Sequence, residues 1–189
     1  MIIKNIEKSS IPEIIIITPK VHRDDRGYFF ESFNSKDFNN IGLPTQFMQD
    51  NQAFSTKGTL RGLHYQLKYP QGKLVRVIQG EVIDVAVDIR RGSPTSGKYV
   101  SINLSSNNNK MVYIPEGFAH GYIVLSDTAI FQYKCTEIYH PDDEYGIIWN
   151  DKDININWSV ETPILSDKDQ RLPTLKSIDI SRLPKLKKI

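Results

Sequence analysis

Between residues 60 and 139 the chain is cut into short apolar runs, each closed by glycine, proline or a polar cluster. Leu60 to Leu67, Leu74 to Gln79, Glu81 to Ile89, Tyr99 to Leu104, Met111 to Ile114, Gly121 to Leu125 and Ile130 to Tyr139 are rich in β-branched and aromatic residues. Short runs of this kind at nearly even spacing read as strands joined by turns. Upstream, Glu13 to Thr18 is a further strand ended by Pro19, and Gly27-Tyr-Phe-Phe-Glu-Ser-Phe is strand-like. One helix is predicted, from Asn34 to Ile41, with Asn34 or Ser35 as cap, Asp37 in the first turn and Gly42 at the end. Many strands and few helices can bury themselves only as a sandwich or a closed barrel, so the chain is predicted to be all-β.

Length and composition narrow the class further. The 189 residues suit a single domain, 1–189, and no repeat or linker divides them. Residues 175–189 are predicted to form a peripheral tail, with Lys185 to Ile189 as a solvated end. Hydrophobic residues at 39% and charged residues at 24% match a folded domain rather than a disordered one. With 24 basic and 22 acidic residues the net charge is +2, which gives no general pull toward nucleic acid. The longest aliphatic run, Ile14 to Ile17, is far too short to span a bilayer, and the first residues lack the features of a signal peptide. A lone cysteine, Cys135, excludes an intrachain disulfide and a four-thiolate zinc site. A reducing cytoplasm is the expected location.

Alternation assigns faces to the strands. In Glu81 to Ile89 one face carries Ile83, Val85, Val87 and Ile89 and must pack on a core. The other carries Val82, Asp84, Ala86 and Asp88, which must meet water or a polar cavity. In Ile130 to Tyr139, Phe131, Tyr133, Cys135 and Tyr139 are predicted to share a face, one that would suit the mouth of a small barrel. Strict alternation puts Arg61 and His64 on opposite faces. Both can serve one site only if the strand bulges, and Gly62 is where it could.

Two of the four histidines stand in informative settings. His120 ends Pro115-Glu-Gly-Phe-Ala-His, which resembles the second motif of cupin barrels. The first cupin motif normally offers His-x-His and a Glu; here that stretch reads His64-Tyr-Gln, so the second histidine is missing. Two histidines without clear further ligands make a poor first-row metal site, and no metal or other cofactor is expected.

The resemblance extends beyond the superfamily. Arg26-Gly-Tyr-Phe-Phe-Glu, Gln49-Asp-Asn, Leu60-Arg-Gly-Leu-His-Tyr-Gln, Gln71-Gly-Lys-Leu-Val-Arg, Ile114-Pro-Glu-Gly-Phe-Ala-His-Gly, Tyr133-Lys-Cys-Thr, Trp149-Asn-Asp and Leu165-Ser-Asp-Lys-Asp occur in order. In this order the set resembles the dTDP-4-dehydrorhamnose 3,5-epimerase family. That resemblance implies a metal-free, cupin-like jelly roll, a cytoplasmic homodimer, and a role in dTDP-L-rhamnose and surface polysaccharide synthesis. The implied substrate is a dTDP-linked 4-keto-6-deoxyhexose, with no nucleic-acid or membrane partner.

A ketone at C4 acidifies the hydrogens on C3 and C5. Inverting either carbon needs a base, a stabiliser of the enolate oxygen and an acid on the opposite face. The resemblance implies His64 as base with Asp169 as its carboxylate, although sequence alone does not select Asp169 over Asp84 or Asp88. It implies Tyr133 as acid and Lys73 as the cation at the enolate oxygen. It further implies Arg61 on the diphosphate, Tyr139 stacked on thymine, and Gln49, Asp50 and Asn51 around the base. His120, Glu144 and Lys168 match other ligand contacts, and Arg26 and Glu31 match positions supplied by a neighbouring subunit. Ser96 stands where an aromatic is common in the family. A sibling that inverts only C3 or only C5, a metal-dependent cupin oxygenase and an inactive nucleotide-sugar binder are the rival readings.

Overall fold

The computed structural model describes residues 2–186. In chain order its strands are β1 (Ile3–Lys8), β2 (Ile15–Pro19), β3 (His22–Asp24), β4 (Gly27–Phe29), β5 (Gln49–Thr56), β6 (Leu60–Gln66), β7 (Lys73–Gln79), β8 (Glu81–Asp88), β9 (Tyr99–Ser105), β10 (Met111–Ile114), β11 (Phe118–Val124), β12 (Thr128–Cys135) and β13 (Glu144–Gly146). The helix α1 covers Ser35–Asn40. Asn34 caps it: its side-chain oxygen accepts from the N–H groups of Lys36 and Asp37 at 3.1 and 3.4 Å. Gly42 follows the helix with φ +73°, a conformation that favours glycine.

The strands form two facing antiparallel sheets, ordered β1-β2-β10-β7-β12-β5 and β13-β6-β11-β8-β9, and β3 and β4 make a separate hairpin. This is the all-β architecture that the strand pattern predicts and the cupin-like jelly roll that the family resemblance implies. Three apolar clusters explain the continuous hydrophobicity of the central strands. Val75, Val112, Phe131, Val82, Leu104 and Val124 fill the space between the sheets. Leu63, Val85, Val87, Ile123 and Trp158 lie on the outer side of the five-stranded sheet. Ile17, Phe38, Leu74 and Met111 lie on the outer side of the six-stranded sheet. Phe131 is fully buried and stacks on Tyr122 with ring centroids 4.1 Å apart. Burying a side chain of that size contributes about 1.5–3 kcal/mol.

Both faces of β8 are therefore buried. Val85 and Val87 pack outward under the C-terminal segment, and Val82 and Ala86 pack inward. The carboxylate of Asp84 points into the inter-sheet space and is 1% exposed. The C-terminal segment is laid along the sheet as well. Leu175, Ile178 and Leu183 pack on the outer cluster, and Arg91 exchanges backbone hydrogen bonds with Pro184 and Leu186 at 2.8 and 3.0 Å. The rest of the predicted solvated end, residues 187–189, lies outside the described residues.

Two edge strands, β1 and β5, have weak sequence signals because, apart from Ile6 and Phe54, their exposed positions are polar and only one neighbour pairs with each. The run predicted to reach Tyr139 ends at Cys135, so Tyr139 does not share a strand face with Tyr133. Beyond Cys135 the chain bends, and the period of two no longer applies.

On the β6–β11 ladder, His64 pairs with His120 and Arg61 with Tyr122, so three steps on β6 oppose two on β11. Gly62 sits in this bulge with φ +117°. A Cβ there would lie 2.6 Å from the Cα of Gly121. The two glycines let the strands approach, and the extra residue turns Arg61 and His64 toward the same cavity.

Candidate active site

A cavity of about 450 Å³ opens between the sheets. His64 and His120 line it from the five-stranded sheet, and Lys73 and Tyr133 line it from the six-stranded sheet. A group seated there has an imidazole on one wall and a phenol on the other.

His64 is a quarter exposed, and its Nε2 lies 2.6 Å from Oδ1 of Asp169. That bond makes Nε2 the N–H nitrogen and leaves the lone pair on Nδ1. Asp169 opens a short 3-10 turn (Asp169–Arg171). Its N–H donates to Ser166 Oγ at 3.1 Å, and its second carboxylate oxygen accepts from the Gly62 N–H at 3.5 Å. Burial pushes the Asp169 carboxyl up, but the His64 hydrogen bond and charge, with Gly62 and Ser166, outweigh it and hold the pKa below the usual value. Of the three aspartates that sequence left open, only Asp169 touches His64.

Glu144 comes from β13, which pairs with β6, and places Oε1 3.7 Å from Nδ1 of His64. Its other oxygen accepts from the Tyr139 hydroxyl at 2.5 Å and from the Lys168 ammonium. Burial acts to raise its pKa, but Lys168, Tyr139 and the charge of His64 together lower it. His64 thus stands between two carboxylates, Asp169 at Nε2 and Glu144 beyond Nδ1.

Across the cavity, burial pushes the Tyr133 hydroxyl up to about 12. It therefore stays protonated at neutral pH. Lys73 has its Nζ 6.0 Å from the Tyr133 ring centroid. Burial lowers its pKa, and Cys135, Asp84 and Glu144 pull in the opposite direction. His120 forms a second pair, with Nε2 2.7 Å from Oδ2 of Asp84, and it is 7% exposed.

The remaining predicted residues divide into four groups. Arg61 and Lys168 line the cavity, and Arg61 Nε donates to Ser55 Oγ at 3.1 Å. Gln49, Asn51 and Tyr139 form a linked cluster outside its lining. The Tyr139 N–H donates to Gln49 at 2.7 Å, Gln49 donates to Asn51 at 2.8 Å, and Asn51 approaches the Cys135 sulfur at 3.7 Å. Asp50 points the other way and pairs with Lys134 at 2.9 Å, as alternation along β5 requires. Arg26 and Glu31 stand apart from the cavity in this chain: Arg26 pairs with Asp24 at 2.6 Å, and Glu31 accepts from Asn34 at 3.3 Å.

The sequence reading did not find Asp84 as the partner of His120, nor Ser166 and Tyr122 as lining residues. Alternation carried part of the signal for Asp84, since it places that carboxylate on the polar face of β8. Among the described residues no group of three or more His, Cys, Asp or Glu side chains is placed to hold a metal ion. Nor is any helix among them long and apolar enough to cross a membrane.

A family model described as dTDP-4-dehydrorhamnose 3,5-epimerase matches residues 8–177. The chain is 58% identical over 167 residues to a protein of that name from Shigella flexneri, covering 87% of this chain and 92% of the relative. The structure of a dTDP-6-deoxy-D-glucose-3,5-epimerase from Legionella pneumophila, in complex with dTDP-4-keto-L-rhamnose, superposes with a TM-score of 0.95 at 48% identity, covering 97% and 99% of the two chains. A 3'-monoepimerase from Streptomyces bikiniensis in complex with dTDP-quinovose matches at a TM-score of 0.90 and 33% identity, covering 95% and 92%.

Proposed function

Since the chain belongs to the dTDP-4-dehydrorhamnose 3,5-epimerase family, we propose that its cavity converts dTDP-4-dehydro-6-deoxy-D-glucose to dTDP-4-dehydro-L-rhamnose. The observation that carries this reading is the placement of His64 and Tyr133 on facing walls of one cavity, with Lys73 beside Tyr133. His64, held by Asp169, removes the proton from the carbon next to the ketone. The electron pair moves into the C4 carbonyl and forms an enolate. Lys73 faces that oxygen and lowers its energy, and the Nδ1 of His120, whose Nε2 is held by Asp84, accepts from a sugar hydroxyl. Tyr133 delivers a proton from the opposite wall, which inverts the carbon. The cycle leaves an imidazolium and a phenolate. Solvent takes the proton from His64 and returns one to Tyr133, so both side chains are ready for the second carbon.

Arg61 holds the diphosphate, with Lys168 and Glu144 at the rim, while Gln49, Asn51 and Tyr139 receive the thymine. We read the exposed hairpin β3–β4 and the segment after it as reaching a second copy, with Arg26 and Glu31 completing that copy's site in a cytoplasmic homodimer. Sedimentation should then give twice the chain mass of 21.7 kDa.

The test is proton NMR of the dTDP-linked ketosugar in heavy water. Deuterium entering both C3 and C5 supports double epimerisation. Exchange confined to C3 would favour the second reading, motivated by the similarity to a 3'-monoepimerase. No exchange at either carbon would remove the epimerase reading.

A further inference from the structure

One polar atom of the cavity wall is not accounted for by the roles above. Tyr122 lines the cavity from β11 and is 4% exposed. Its ring lies on Phe131 with an interplanar angle of 15°, which fixes where its hydroxyl points. Among the described residues that buried hydroxyl has no hydrogen-bond partner. A phenylalanine would fill the same space without leaving a polar group unsatisfied, so the hydroxyl is unfavourable unless a ligand meets it.

Its surroundings indicate which ligand group that is. Tyr122 sits opposite Arg61 in the strand ladder. Ser55 and Arg61 stand close enough to the hydroxyl to pull its pKa down, yet neither closes a hydrogen bond to it, and Arg61 Nε donates instead to Ser55 Oγ at 3.1 Å. The nearest carboxylate on the facing strand, Asp84, is committed to His120 at 2.7 Å. Burial raises the Tyr122 pKa against the opposing pull of Ser55 and Arg61, so the phenol keeps its proton and needs an acceptor. An acceptor that satisfies a phenol and a guanidinium together is an anionic oxygen, as on a phosphate.

We propose that the Tyr122 hydroxyl donates a hydrogen bond to a diphosphate oxygen of the bound nucleotide sugar, next to Arg61. This deepens the reading above and rests on it for the nature of the ligand. The test compares Tyr122→Phe with the unaltered protein by calorimetric titration with dTDP and with thymidine. Loss of one charge-assisted hydrogen bond should weaken dTDP binding about tenfold. Thymidine binding should stay within about twofold, while KM for the ketosugar should rise in step with the dTDP dissociation constant. The phosphorus-31 resonances of bound dTDP should also move in the variant.

Unchanged dTDP affinity with unmoved phosphorus signals would overturn the proposal. So would equal weakening of dTDP and thymidine, which would mean a disturbed pocket. A fall in kcat with unchanged dTDP affinity would overturn it too, by placing the hydroxyl on the sugar. Nucleotide binding is read without turnover, so failure of this assignment and failure of the epimerase reading are separate results.

Discussion

Two histidine–aspartate pairs lie side by side on the β6–β11 ladder, where His64 and His120 are register partners. Their hydrogen bonds are nearly equal, 2.6 Å for His64 with Asp169 and 2.7 Å for His120 with Asp84. Their settings differ. His64 is 26% exposed and has a second carboxylate, Glu144, 3.7 Å from its other nitrogen. His120 is 7% exposed, its aspartate is 1% exposed, and Phe131 lies 6.2 Å from its ring. A base must reach its substrate and then carry a positive charge. The first pair opens to the cavity with a carboxylate beside each ring nitrogen, whereas the second is nearly sealed from solvent and suits a fixed positioning role. Access and a second carboxylate, rather than the His–Asp bond itself, distinguish the two.

The largest expected effect is on the open pair. His64→Ala should reduce isotope exchange by about 10⁴-fold while dTDP binding changes only a few-fold, because the base is lost and the nucleotide contacts remain. Equal loss of both would contradict its role. Asp169→Asn should lower kcat by about 10²-fold or more, through loss of the fixed tautomer. Asp84→Asn should lower it only about tenfold and instead cost about 1–3 kcal/mol of stability, seen as a reduced Tm. If the two asparagine variants lost activity equally, the contrast between the pairs would fail.

The pH dependence sharpens the same contrast. Tyr133 holds its proton up to about 12, whereas burial brings Lys73 below the ordinary lysine value. The alkaline limb of kcat should therefore follow Lys73, and Lys73→Arg should move the limb of the remaining activity to higher pH. An unmoved limb would assign it elsewhere. The smallest effect is on acid stability. The folded pKa of Asp169 lies below an unfolded value of about 3.9, so its contribution is complete above that pH and is lost as pH falls through the folded value. Chemical denaturation below about pH 4 should show a shallower pH slope for Asp169→Asn than for the unaltered chain.

Much of the fold was legible because β-branched runs and turn residues report strands locally. The helix cap at Asn34 was legible for the same reason, and the bulge at Gly62 followed from requiring Arg61 and His64 in one site. The edge strands β1 and β5 were harder to see, since a strand paired on one side has little apolar sequence to reveal it. At the site, Asp169 is 105 positions from His64, and only tertiary structure or family resemblance could join them. Tyr139 was placed wrongly because the period of two was carried past the end of β12 at Cys135. Tyr122 left no local signal, since what distinguishes it is a missing partner in three dimensions.

The most direct test of base and acid on opposite walls is proton NMR of the ketosugar in heavy water with Tyr133→Phe. His64 can still remove and return a proton on its own side, so deuterium should enter at C3 and C5 while the configuration is retained. Inversion at the rate of the unaltered protein in that variant would contradict the account.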